Sequence, residues 1–259
     1  MLSSPSPLYF QTELSVPPVA MFRIEKSCVR SLFNKMFEAD GYPYDALNLQ
    51  GNTPSMSSKR EDEEVSSCRF TDYSICIEEK NPRFSADDFV GIVRKVLSGF
   101  GPFRPVYMQR VRIQCLCQSL HSVSAVHLLA NKVANVMDRI SPFERPPAYF
   151  GVRFRFPPLI AVDHEDAETD NPMIGQAEVQ EEEHKGFITL RFETYDKDLK
   201  QVWMEVAAMY PFPEPVSLPE HLDAITRNVT DTYHFLAEKG KKFLDQFDVQ
   251  GIDDGGNQS

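Results

Sequence analysis

The sequence predicts an α+β protein built from tandem β-α-β-β-α halves, with an antiparallel sheet, helices packed on one face and a long C-terminal helix. Three observations carry this. Apolar residues alternate with period two over strand-length segments, and they recur at three- and four-residue spacing in the stretches between. The order of segments across residues 8–100 then returns across 104–247. The halves therefore fall at 8–103 and 104–249, with an acidic insert at 161–185 in the second and disordered tails at 1–7 and 250–259.

The first strand covers Leu8–Leu14 and resumes as Val19–Glu25 beyond Pro17-Pro18, a proline pair that suits an edge or a bend. Ser27–Ala39 places Val29, Leu32, Phe33, Met36 and Phe37 at helical spacing. Residues 47–79 read as two or three strands around a polar loop, Ser55–Glu64, ending in a strand where Tyr73, Ile75 and Ile77 alternate with Ser74, Cys76 and Glu78. Ser85, with Asp87 and Asp88 in the next turn, is a helix start, and Gly99 is a stop. In the second half, Val106–Gln118 is a strand in which Gln109 is the polar exception on an apolar face. Ser124–Ile140 is a helix, Tyr149–Phe156 a strand, and Phe187–Tyr195 with Gln201–Tyr210 a hairpin. Ser217-Leu-Pro-Glu220 has the form of a capping box that opens the closing helix.

The composition, 42% apolar and 25% charged, is that of a globular chain. No apolar run reaches the length of a membrane span, and Met1–Pro7 has no secretory-signal pattern. Five cysteines without zinc spacing predict buried free thiols and a cytoplasmic, reducing compartment. The net charge of −11 is concentrated: between Ala161 and His184 there are nine acids and no Lys or Arg. Without that stretch the body is near −2, and no basic run suggests nucleic acid.

Arg23, Arg110, Arg112, Arg153, Arg155 and Arg191 alternate with large apolar residues on successive strands. Strict alternation puts them on the sheet face opposite the helices, where guanidinium groups suit carboxylates or phosphates. The competing reading is a solvent face on which Glu25, Glu78, Glu193 and Glu205 neutralise them across strands. The acidic insert could fold back over the same face, or be a solvated loop with no role. Nucleotide-binding loops, metalloprotease helices and nucleophile elbows are absent, so no catalytic, cofactor-binding or metal-ligating residue is assigned.

The proline-flanked first strand (Val16-Pro-Pro-Val19), the Arg110-Val-Arg112 strand and the long amphipathic closing helix resemble a sporadically distributed family of uncharacterised bacterial proteins. The resemblance covers roughly half the chain. It implies a soluble, duplicated bacterial α+β protein and, since that family has no assigned catalytic residues, no chemistry. The strand bearing Arg153 and Arg155 and the acidic insert depart from its pattern.

The expectation is a non-enzymatic intracellular binding or assembly module that meets an acidic or anionic protein partner through the arginine face; a homodimer paired through an exposed edge strand is a further reading. The alternative is a small-molecule binder or enzyme with an apolar pocket between the sheet and the closing helix, lined by residues such as Met204, Phe154, Phe192 and Tyr233.

Overall fold

The computed structural model describes residues 1–16, 25–37, 44–99, 105–137, 145, 147–157, 186–218 and 220–249. Arg23, the acidic insert 161–185 and the tail 250–259 lie outside the described residues, as do 17–24 of the first strand's expected continuation.

Alternation of apolar and polar side chains produces, among the described residues, one antiparallel nine-stranded sheet: β1 (Ser6–Ser15), β2 (Ala46–Asn48), β3 (Ser55–Arg60), β4 (Glu63–Phe70), β5 (Ser74–Lys80), β6 (Pro105–Gln118), β7 (Gly151–Phe156), β8 (Phe187–Thr194) and β9 (Gln201–Ser217). The strand order is β2-β3-β4-β5-β1-β6-β9-β8-β7. β1 and β6 lie side by side at the centre, and each half runs outward from there in matching order, with β2 added at the first half's edge. The α+β class and the one-sided helical cover are as the sequence predicts. Each half, however, carries three long strands between its helices.

The additional strand of the first half, β3, occupies the expected polar loop. It is rich in Ser, Lys and Arg, and of its side chains only Met56 is fully buried, so the apolar alternation that marks a strand is missing. A tight turn at Glu61 and Asp62, both at positive φ, returns the chain into β4.

One face of the sheet is covered by α1 (Lys26–Phe37), α2 (Ala86–Ser98) and a closing helix. The closing helix begins as α3 (Leu222–His234), passes through a π-helical stretch at Phe235–Gly240 and ends as α4 (Lys241–Asp245). The start of α2 is the expected cap: Ser85 Oγ accepts from the Asp88 N–H at 3.2 Å, and the Asp88 carboxylate accepts from the Ser85 N–H at 2.9 Å. Phe89, Val93, Val96 and Leu97 are fully buried, and the Phe89 ring stacks on Phe10 of β1 at 5.2 Å. Each such burial is worth roughly 1.5–3 kcal/mol. Gln109, the polar exception of β6, is also fully buried. Its amide donates to Thr12 Oγ1 and the Ile225 carbonyl and accepts from Asn228, tying α3 to the two central strands.

Four expectations are corrected. The closing helix begins at Leu222, not Ser217, because Ser217 is the last residue of β9 and pairs with Pro105. Prolines 211, 213 and 215 fit this strand because the β6–β9 register slips between Val106 and Met108, beyond the last β8 partner at Met209. The expected helix over Ser124–Ile140 is a π-helical stretch, His127–Val133, in the described part. Residues 1–7 are not a loose tail: Leu2 is buried and bridges Ser119, and the Ser3 N–H donates to the Gln118 carbonyl. Four cysteines are buried and free, whereas Cys28 is exposed. Among the described residues no helix is long and apolar enough to cross a membrane.

Candidate functional site

The sheet face opposite the helices carries the arginines, as alternation requires, and most of them are already engaged. Glu205 of β9 is buried and takes Arg112 Nε at 2.5 Å, Gln114 Nε2 at 2.7 Å and Arg191 Nη1 at 3.4 Å. Arg191 also pairs with Glu193 and lies over the Trp203 ring at 5.4 Å. Arg112 lies over Tyr9 at 5.9 Å, and Tyr9 donates to the buried Glu78, which pairs with Arg69 at 2.6 Å. Arg110 meets Glu13 at 3.8 Å. Cross-strand neutralisation therefore occupies Arg110, Arg112 and Arg191, and two of the acids named from the sequence, Glu78 and Glu205, are its buried hubs.

Arg153 and Arg155 differ. Both are exposed on β7, the outermost strand at this end, with no ion-pair partner among the described residues. Arg153 stands opposite Arg191, a like charge. Arg155 lies over the Phe187 ring at 4.2 Å and stands opposite Thr189, whose buried Oγ1 has no hydrogen-bond partner among the described residues.

Directly behind these two arginines, on the helix side of the same strands, lies an apolar pocket of 540 Å³. Phe154, Phe156 and Pro157 from β7, Ile188 and Leu190 from β8, and Phe235, Lys239, Gly240 and Phe243 from the closing helix line it. Phe154 packs edge-on to Phe243 at 5.4 Å and Phe156 edge-on to Phe235 at 5.7 Å, so the aromatic walls hold each other. Lys239 is the one charged lining residue among the described residues; its ammonium lies 5.7 Å above the Phe235 ring. The π-helical stretch forms this wall: its wider turn carries Phe235, Lys239 and Gly240, and π-bulges gather at functional sites.

Of the four residues named from the sequence for a pocket between the sheet and the closing helix, one is found in this lining. Phe154 lines it, whereas Met204 and Phe192 are packed into the core and Tyr233 turns toward Phe10. Phe156 and Lys239 were missed. Phe156 continues the alternation of Phe154, so parity could have found it. Nothing in the sequence marks a π-helical turn at 235–240.

Comparison with protein-family models, with curated proteins and with solved structures finds no match.

Proposed function

We propose that the chain is a binding protein whose site is the β7–β8 end of the sheet, where an apolar pocket backs onto the Arg153–Arg155 pair. The observation that carries this is the 540 Å³ pocket, a size and lining typical of sites for small apolar ligands or for the side chains of a partner. Lys239 adds one cation at its wall, which suits an apolar body with an acidic group. The charges of Arg153 and Arg155, unpaired among the described residues, favour an acidic partner on the reverse face, while Arg110, Arg112 and Arg191 serve the sheet itself. Buried unpaired thiols support a reducing intracellular compartment, and the matching strand order of the halves supports an internal duplication.

Thermal unfolding in the presence of dodecanoate tests the pocket. The native chain should gain several degrees, and Phe156→Arg should abolish the gain, its unliganded midpoint falling only by the few degrees that loss of the Phe235 contact costs while a cooperative transition is kept. No shift with dodecanoate or with an aromatic acid would remove the support for the pocket.

A further inference from the structure

We infer that the outer edge of β7 takes up an extended peptide strand in which acidic and apolar residues alternate. This rests on the reading of the β7–β8 end as a binding site and names its occupant. The hydrogen-bonding phase of β7 comes from the pair just before it: the Thr194 N–H donates to the Phe150 carbonyl, so residues 150 and 194 form a hydrogen-bonded pair. In an antiparallel ladder such pairs alternate. Val152, Phe154 and Phe156 therefore turn their backbone groups toward β8, while Gly151, Arg153 and Arg155 present theirs outward. No strand beyond β7 is found among the described residues.

An incoming strand would bond to the backbone of Arg153 and Arg155. Its residues directly opposite them share the arginine face, and the intervening ones fall on the side of Phe154 and Phe156, beside the pocket. Backbone, charge and apolar surface thus demand one pattern: an acid at every second position and an apolar side chain between. A second copy of this chain is disfavoured, because pairing β7 with itself sets arginines against arginines on one face. Strand addition is a general mode of peptide capture in which the backbone supplies affinity and alternate side chains supply specificity.

The test uses the full chain and a fluorescein-labelled hexapeptide alternating Glu with Ile, read by fluorescence anisotropy and amide hydrogen exchange. Binding should slow exchange at Arg153 and Arg155 at least tenfold and leave Val152 and Phe154 unchanged. The double variant Arg153→Glu, Arg155→Glu should weaken binding about tenfold with its thermal midpoint retained, and a peptide N-methylated on its β7-facing amides should not bind. Unchanged exchange at saturating peptide, or equal affinity for the N-methylated peptide, overturns the strand. If dodecanoate still stabilises the chain in that case, the pocket survives and only this inference falls; if neither binds, both fall. Concentration-dependent protection of Arg153 and Arg155 without peptide would overturn it in favour of self-pairing.

Discussion

Glu79 of β5 sits on the helix-covered face, opposite Phe10, and is 2% exposed. Burial pushes its carboxyl up to about 8, against the opposing pull of Arg60, and Ser66 Oγ donates to it. The folded state therefore holds a proton that the unfolded chain releases near pH 4.5. Stability from this group is complete below that value and is lost as pH rises toward 8, on the order of 4 kcal/mol in all. Denaturant titrations should show that decline, and Glu79→Gln should flatten it. The arginines divide just as sharply. Arg112→Ala strips a buried carboxylate of its closest cation and should cost about 1–3 kcal/mol, whereas Arg153→Ala or Arg155→Ala should stay within about 0.5 kcal/mol in the same titration. Sequence parity put all of these side chains on one face, yet it could not separate them. That depends on cross-strand register, which sets Glu205 beside Gln114 and Arg191 but sets Arg191, not an acid, beside Arg153.

At the scale of elements, local signals were legible where they were self-contained. The Ser85–Asp88 box and the Gly99 stop bound α2 without help from the rest of the chain. The Ser217–Glu220 pattern looked equivalent and was overridden, because pairing with Pro105 keeps Ser217 in the strand. The closing helix shows a different balance at Gly240. A methyl group there would meet Leu190 Cδ1 at 3.5 Å and Leu236 Cδ1 at 3.6 Å, ordinary contacts in a right-handed helical conformation. Gly240→Ala should therefore stabilise the fold by about 0.5–1 kcal/mol, as glycine's extra unfolded-state freedom is removed. The same methyl narrows the pocket, so dodecanoate affinity should fall while the unfolding midpoint rises. Gly186 is the opposite case: a Cβ there would collide with the Met209 carbonyl, so the chain can enter β8 only without one.

For the whole molecule, the two ends of the described chain are fastened to one loop. Asp248 is fully buried and accepts from Ser119 Oγ at 2.8 Å and from the N–H groups of Leu120 and Ser122 at 2.9 Å each. Burial by itself would raise this carboxyl; the donors outweigh it and hold the group well below the usual carboxylate range. Its stabilisation is present above the unfolded value near 4 and is lost as pH falls. Asp248→Asn should cost about 2–3 kcal/mol at neutral pH and soften acid unfolding followed by circular dichroism. Leu2 joins the same corner through its N–H, which reaches Asp245 at 2.6 Å. Composition gave no hint of this, since a Ser/Pro-rich start looks loose until a buried partner far along the chain is known.

The central position of β1 and β6 also bears on how the chain is made. α2 ends at Ser98 and β6 at Gln118, so at 5–20 residues per second synthesis separates them by roughly 1–4 s. Through that interval β1, ten residues long, can have β5 on one side and nothing on the other. It is then a bare template in the middle of the future sheet, and β6 of a neighbouring ribosome's chain fits it as well as its own. The seam between the halves is thus the place where two nascent chains of one message can exchange strands, a hazard that ends when each β1 captures the β6 that follows it.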